Sequence, residues 1–442
     1  MKNKIKFQIK HFGPIHEVNM DIGKINIIGG HNSTGKSTAS KLLYSFLRSS
    51  FSKRGDYAYE KIKKNIVEVI HNIYRVYGIR HSEVIDLSKF NKSNIDYLNY
   101  FEKSSGYYEK HFDDLTILEK YFQAKQDYSK YDRKGAEKRY IKKEINEIDE
   151  ILDIIRENSN ALFLSIFKTS LIAEFGTNNL EFISSLSGIK NNNQFSFSVN
   201  FKDYNIDSDK VFISEGNFEI EDVFYIDSFS FFETSKPWRD VNTHVGYIRK
   251  MLNTPIEDNY ELFDDVVNKN IISIENKIKK IIGGGITLNQ GKFYFSNKNL
   301  KPIDIQNTAS GIKQIGIIQL LLANRRLKED CFLIIDEPEV NLHPEWQFKF
   351  AEILVLLAKE LNITLYINSH SPMFIEAIEV LTQYYDLDED TNFYLAEKHG
   401  KDTYDFIKIE YDDLYELYDN LAKPFDSIEV YRLKNEYKKG NY

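Results

Sequence analysis

The 442-residue chain has one cysteine, Cys331, and no apolar run long enough to cross a membrane. A single cysteine excludes an intrachain disulfide and a cysteine-based metal site. The first residues lack the apolar region of a signal peptide, so we expect a cytoplasmic protein with no membrane partner. An excess of positive charge is also missing, since the net charge is −8 at pH 7. Bulk charge therefore does not draw this protein to a polyanion, and any contact with nucleic acid needs a local basic patch.

What the chain does have is a complete phosphate-binding loop of the form G-x-x-x-x-G-K-[ST]. The apolar run 25–29 before it predicts a buried strand, and the apolar spacing after it predicts a helix. Glycines let successive backbone N–H groups turn towards phosphate oxygens, and the helix N-terminus adds partial positive charge. We therefore predict a site for a nucleoside triphosphate formed by Gly30, Asn32, Ser33, Thr34, Gly35, Lys36, Ser37 and Thr38. In such a site Lys36 reaches the β- and γ-phosphates, and the Ser37 hydroxyl binds Mg²⁺.

A second motif lies far downstream, where the apolar run 331–335 ends in two acids. A carboxylate at the end of a buried strand can hold the Mg²⁺ that bridges the phosphates, and the next one can polarise the attacking water. We assign Asp336 to Mg²⁺ and Glu337 to the general base. The alternative is a strand that simply ends in a charged turn.

Two weaker motifs complete the set. Ser310 and Gly311 precede a helical pattern and would cap its N-terminus, which is itself a phosphate-binding surface. A short apolar strand ends near His370, where a histidine could hydrogen-bond the γ-phosphate and sense hydrolysis. Taken singly, an ordinary capped helix and a loop histidine explain these pieces better, but their order after the phosphate loop makes the combined signal strong.

The set of motifs resembles the ATP-binding-cassette (ABC) ATPases of the SMC, RecF and OLD-like branch. The corresponding segments are 30–38 for Walker A, 310–311 for the start of the signature motif, 333–337 for Walker B, 341–343 for the D-loop, and His370 for the switch histidine. The resemblance implies an α/β P-loop head with a mixed sheet and an antiparallel lobe, and ATP and Mg²⁺ as cofactors. It also implies a homodimer or higher homo-oligomer in which two heads lie head-to-tail around two ATP molecules. Ser310 of one protomer would complete the γ-phosphate site of the other, and Gly311 would also bind the nucleotide. Its catalytic residues would be Glu337, His370 and Ser310.

The sequence departs from this family pattern at two places. Ile312 and Lys313 follow Gly311 where a second glycine is usual, although Gln314 is present, and Ser33 stands where a glycine is common. Both departures weaken an inference about turnover rate and leave nucleotide binding unaffected. No glutamine has the context of the family's Q-loop.

The long interval between the motifs predicts a divided domain organisation. The expected parts are a split head at 1–50 and 286–400, a helical insertion or short coiled-coil arm at 51–190, a strand-rich lobe with a helical segment at 191–285, and a C-terminal helical tail at 401–442. A heptad seam over 141–155 favours the arm, and an amphipathic helix packed on the head is the alternative.

The basic and aromatic cluster Lys120–Lys143 is a candidate nucleic-acid surface, or else a solvated helix face. The acidic run 386–390 is interpreted as a turn, because too little chain follows for a nuclease domain.

Three functions remain open. The first is an ATPase switch that dimerises on ATP and controls a separate effector, a nuclease or toxin, as in the nuclease-less ATPases of the anti-phage defence systems Septu and PARIS, which the chain resembles. The second is a RecF-like repair or recombination ATPase that binds DNA directly. The third is an ATP-binding scaffold with negligible turnover.

Overall fold

The computed structural model of the chain describes residues 5–51, 169–176, 195–199, 202–206, 222–227, 230–232, 243–253, 265–289, 292–297 and 299–440, with isolated positions between them. The chain divides into two compact units, Met1–Ser45 with Ser170–Tyr442 and Phe46–Thr169. The proposed arm, its heptad seam and the basic cluster Lys120–Lys143 lie outside the described residues, apart from isolated positions such as Lys142 and Ile145. The first unit contains the phosphate loop and the acid-ended apolar run.

The first unit is built on a mixed sheet of ten strands. The strands are β1 (Ile5–Phe12), β2 (Ile15–Ile22), β3 (Ile25–Gly29), β4 (Phe195–Val199), β5 (Lys202–Ile206), β6 (Val223–Ile226), β10 (Phe332–Asp336), β11 (Thr364–Ser369), β12 (Thr391–His399) and β13 (Thr403–Ile409). Their order across the sheet is β5-β4-β1-β2-β13-β12-β3-β11-β10-β6. Strands β12, β3, β11, β10 and β6 run parallel, whereas β5, β4, β1 and β2 pair antiparallel. The predicted α/β fold, a mixed sheet with an antiparallel lobe, is confirmed.

Several α-helices accompany this sheet in the described part of the chain. They are α1 (Lys36–Phe51), α2 (His244–Asn253), α3 (Asp265–Ile282), α4 (Ser310–Ala323), α5 (Pro344–Leu361), α6 (Pro372–Tyr384) and α7 (Leu414–Gly440). Every residue of β3, β6 and β10 is buried, as expected for parallel strands that are covered on both faces. None of the helices described is long and apolar enough to span a bilayer.

A separate three-stranded antiparallel sheet leads into α4. It consists of β7 (Gly285–Asn289), β8 (Lys292–Asn297) and β9 (Leu300–Asp304). The buried side chain of Gln319 on α4 fastens this sheet to the helix, because it accepts a hydrogen bond from the Ile286 N–H at 2.7 Å and donates one to the Ile286 carbonyl at 3.3 Å. Close packing is also needed at Gly316, where an added Cβ would lie 1.9 Å from the Ile286 side chain.

The structure corrects two sequence expectations. The strand-rich lobe expected at 191–285 includes the run 223–226, but β6 pairs in parallel with β10 at the edge of the sheet opposite β4 and β5. Its continuous burial is the pattern of a parallel strand that is covered on both faces. The expected helical tail at 401–442 starts instead with β13, which forms a hairpin with β12, and the helix begins only at Leu414. Gly400 supplies the left-handed conformation of this hairpin turn, with φ 67°.

A buried histidine is held between two carboxylates beside β6. His244 is 5% exposed, and its Nδ1 lies 2.7 Å from Glu174 while its Nε2 lies 3.0 Å from Asp227. Burial lowers the pKa of His244, but the pairing with Asp227 and Glu174 outweighs burial and raises the pKa to about 9. At neutral pH this side chain is therefore an imidazolium that joins two segments distant in sequence.

This ion network predicts a pH-dependent stability. Because the pKa of His244 is about 9 in the folded chain and near its ordinary value of ~6.5 in the unfolded chain, its stabilisation is complete below pH ~6.5 and is lost as the pH rises to about 9. The difference corresponds to about 3 kcal/mol of unfolding free energy. Chemical denaturation between pH 6.5 and 9.5 should show this loss in the wild type and not in His244→Gln. Equal pH dependence of the two proteins would contradict the assignment.

Candidate functional site

The phosphate loop joins β3 to α1 through two residues with positive φ, Ser33 at 66° and Gly35 at 93°. The left-handed conformation at Ser33 explains why a glycine is common at this position, since a Cβ there carries a steric cost. Alternation of this kind turns backbone N–H groups inward to form an anion-binding nest. The loop borders a cavity of about 420 Å³ lined by Pro14, residues 32–38, Glu337 and Asn368.

Lys36 is buried at the base of this loop. Its ammonium group donates hydrogen bonds of 2.7 Å to the carbonyls of Gly30 and His31, and one of 3.4 Å to the Thr34 hydroxyl. Burial lowers the pKa of Lys36, whereas the charges of Glu337, Asp336 and Glu339 raise it. The loop thus holds a cation beside the nest, where the charge of a polyphosphate would lie.

Asp336 ends β10 and is surrounded by hydrogen-bond donors. Its Oδ1 accepts from Ser40 at 2.9 Å and from Asn368 at 2.5 Å, and its Oδ2 accepts from the Tyr225 hydroxyl at 2.8 Å. Burial raises the pKa of Asp336, and hydrogen bonds from these side chains and from Ser37 lower it. Burial also raises the pKa of Tyr225, which keeps that phenol a donor.

The two residues assigned to the metal fit that role. The hydroxyl of Ser37 and the carboxylate of Asp336 are hydrogen-bonded neighbours, and hydroxyl and carboxylate oxygens are the ligands that Mg²⁺ prefers. The Asn368 amide oxygen is buried without a hydrogen-bond partner in the described part of the chain, and Asn368 lines the same cavity. An unpaired acceptor at this place suits a water molecule held by a metal ion.

Glu337 lines the cavity, and His370 lies beside Glu337. Glu337 has a positive φ of 50°, and its carboxylate lies 3.6 Å from the His370 ring nitrogen Nδ1. Each side chain is 40% exposed. The unusual backbone angle at Glu337 is the kind of local strain that functional sites retain. The arrangement places a carboxylate base at the cavity with a histidine beside it.

Ser310 and Gly311 lie apart from this group. Ser310 is the first residue of α4, and the N-cap is Ala309, which makes no side-chain capping bond. The expectation that Ser310 and Gly311 cap the helix is therefore corrected. Neither residue lines the phosphate cavity, and Gly311 packs instead under Leu342, whose side chain would lie 2.7 Å from an added Cβ.

The structure adds Glu339, which the sequence motifs did not single out. Its carboxylate is buried, and Oε1 accepts hydrogen bonds from the Ser369 hydroxyl at 2.8 Å, the His370 N–H at 2.8 Å and the Ser371 N–H at 3.1 Å. Burial raises the pKa of Glu339, and these hydrogen bonds lower it. The His370 Nδ1 is also 3.3 Å away. Glu339 thus fixes the loop that carries His370 to the segment after β10.

A strand, glycine loop and helix beside an acid-ended parallel strand define the class of P-loop ATPases. The sequence model described as AAA ATPase domain matches residues 1–375, and the chain belongs to this family. Its general activity is accordingly the binding and hydrolysis of ATP. No curated protein matches the chain.

Solved structures of SMC heads show a distant likeness. The SMC head domain from Thermotoga maritima is 9% identical with a TM-score of 0.35, and the match covers 92% of this chain and 99% of that one. The SMC head with an extended coiled coil bound to the C-terminal domain of ScpA, from Pyrococcus furiosus, is 9% identical with a TM-score of 0.34, over 95% and 100% of the two chains. The fold assignment itself follows from the sheet order.

The contacts of Glu339 give a direct prediction. In Glu339→Ala, three donors in the His370 loop lose their acceptor, so His370 shifts relative to Glu337. Displacements of about 1 Å at a catalytic group cost up to roughly 100-fold, and we expect kcat for ATP hydrolysis to fall by roughly ten- to 100-fold. ATP affinity should change little, because Glu339 does not line the cavity.

Two variants control this experiment. Glu345→Ala removes an exposed carboxylate of α5 and should leave turnover unchanged, whereas Glu339→Gln keeps an acceptor at Oε1 and should recover part of the rate. A folded Glu339→Ala protein that hydrolyses ATP at the wild-type rate would show that Glu339 has no positioning role.

Proposed function

We propose that this protein is an ABC-type ATPase in which two copies close head-to-tail around two ATP molecules. The observation that carries the proposal is the division of the motifs. The phosphate loop and Glu337 line one cavity, Asp336 is hydrogen-bonded to Ser37 of that loop, and His370 lies 3.6 Å from Glu337. Ser310 and Gly311 are not among the lining residues. A second protomer would bring its own Ser310 and Gly311 to the open mouth of the cavity.

Within that dimer each residue has a defined chemical task. Lys36 exchanges its bonds to the loop carbonyls for bonds to the β- and γ-phosphates. Ser37 and Asp336 would hold Mg²⁺, which when bound would supply charge neutralisation for the phosphate oxygens. Glu337 accepts a proton from water as the water oxygen bonds to the γ-phosphorus and the bond to the β-γ bridging oxygen breaks. His370 hydrogen-bonds the γ-phosphate and responds to its loss.

A hydrogen bond supports communication between the signature helix and the general base. Gln314 of α4 is buried, and its amide donates to the Glu337 carbonyl at 3.3 Å. Docking of a partner protomer at the start of α4 would therefore act on the backbone of Glu337. This link favours a switch, in which dimer closure and hydrolysis are coupled, over a scaffold that binds ATP without turnover.

We further propose that the closed dimer controls a separate effector protein, a nuclease or toxin, in anti-phage defence in the cytoplasm. The C-terminal helix α7 supports this proposal. Its first turns are anchored by buried Leu414, Leu417 and Leu421, but farther along it exposes apolar side chains. Those side chains are Ile428, Val430, Tyr431 and Leu433. Clustered exposed apolar groups are typical of protein-binding surfaces.

The candidate DNA surface of a RecF-like function, Lys120–Lys143, has no comparable support, because it lies outside the described residues except Lys142.

The Glu337→Gln variant tests the proposal. The amide cannot accept the proton of the attacking water, so we expect kcat to fall by roughly 100-fold or more while ATP remains bound. With ATP and Mg²⁺ the variant should elute as a dimer in size-exclusion chromatography with light scattering, and the effector should co-purify with this dimer from the native host.

Lys36→Ala is the matched control, since it lacks the ammonium group that binds phosphate and should remain a monomer without effector. Undiminished turnover in Glu337→Gln would exclude Glu337 as the base. An ATP-bound variant that stays monomeric would contradict the composite site.

A further inference from the structure

A cluster of two histidines and an aspartate lies on the sheet outside the lining of the phosphate cavity. His16 is on β2, His399 ends β12, and Asp405 is on β13. The Nδ1 atoms of His16 and His399 lie 2.7 Å and 2.8 Å from the two carboxylate oxygens of Asp405. Each of the three residues offers one ligand atom, and these atoms all lie within 4.8 Å of one another. Among the described residues, this is the group of His, Cys, Asp or Glu side chains that could hold a metal ion.

The strand that carries His16 contains a β-bulge at this position. Strands β2 and β13 pair with Ile15 opposite Tyr404 and Glu17 opposite Asp405, so His16 is an additional residue on β2 within a bulge. Bulges redirect a side chain and occur frequently beside functional sites. The Glu17 N–H donates to Asp405 at 3.0 Å and fixes the carboxylate between the two histidines.

The ligand atoms of this cluster suit a divalent metal ion. The rings of His16 and His399 are stacked with centroids 3.7 Å apart and planes 4° from parallel. A metal ion lies in the plane of each imidazole that binds it, so one of the two rings, such as that of the half-exposed His399, would turn out of this stack when a metal binds. A set of two nitrogens and one oxygen is typical of Zn²⁺ and related transition metals, whereas Mg²⁺ takes oxygen ligands.

A third histidine, His11, lies next to the cluster. The His11 ring centroid is 5.1 Å from that of His16, and its Nδ1 is buried with no hydrogen-bond partner in the part of the chain that the structure describes. His11 also has a positive φ of 53°, which is uncommon for a residue other than glycine. A ring nitrogen buried without a partner is what a metal ligand presents before the metal binds.

We propose that His16, His399 and Asp405 form a site for a divalent transition metal of the Zn²⁺ class, with His11 beside it. Three protein ligands leave a fourth coordination position for a water molecule or for His11 after a change of its side-chain rotamer. The metal would brace the edge of the nucleotide site, because the Tyr404 N–H donates to the Pro14 carbonyl at 2.9 Å and Pro14 lines the phosphate cavity. The competing explanation is that Asp405 only holds the bulge in place.

Metal titration of the full chain without nucleotide distinguishes the two explanations. Protein stripped with a chelator should bind one Co²⁺ per chain, with a visible d–d spectrum that Zn²⁺ abolishes, and Zn²⁺ should raise its melting temperature. His16→Gln and His399→Gln should each weaken binding by roughly tenfold or more and remove the thermal shift. His399 is half-exposed, so its variant decides the question even if His16→Gln does not fold.

Two controls locate the site. His343→Gln removes an exposed histidine elsewhere and should bind the metal like the wild type. Asp336→Asn should also retain the metal, because the proposed site is separate from the Mg²⁺ ligands. The proposal is overturned if stripped wild-type protein binds no Co²⁺ or Zn²⁺, if His399→Gln binds as tightly as the wild type, or if Asp336→Asn alone abolishes binding.

Discussion

The carboxylate of Asp336 is the contact on which the site depends. A buried charge is costly unless hydrogen bonds compensate it, and here the donors come from three different elements. Ser37 and Ser40 extend from α1, Tyr225 from β6, and Asn368 from β11. Satisfying one acid therefore fixes the phosphate-loop helix, the neighbouring strands and the metal-binding oxygen in a single arrangement. Loss of any donor would both expose an uncompensated charge and loosen the nucleotide site.

A second buried carboxylate extends this arrangement to the loop that carries His370. Glu339 holds the backbone of His370 and Ser371, while Gln314 connects α4 to the Glu337 carbonyl. Glu337, the proposed general base, thus lies between two segments that are each connected to it by polar contacts. Such an arrangement suits an enzyme whose hydrolysis follows a change at the start of α4, because a small shift there reaches Glu337 without crossing the apolar core.

Local patterns predicted much of this site, and non-local pairing accounts for what they missed. The phosphate loop and the acid-ended strand are contiguous in sequence, so Lys36, Asp336 and Glu337 could be identified from spacing, and the structure brings them together. Tyr225 could not, because β6 lies in the segment assigned to the strand-rich lobe, whereas its partner β10 is distant in sequence and was assigned to the head. Glu339 was missed since its role depends on a turn that brings it under the His370 loop. The strand β13 was hidden by its short, half-exposed pattern within an otherwise helical tail.

The proposal that one chain holds only half of a catalytic site is tested most directly by the dependence of ATP turnover on protein concentration. Steady-state hydrolysis should be measured from nanomolar to high micromolar protein at saturating ATP and Mg²⁺. If two copies complete each site, the rate per protomer rises with concentration and reaches a plateau as dimers form. A rate per protomer that is constant over this range, in samples that mass measurement shows to be monomeric, would contradict the composite site.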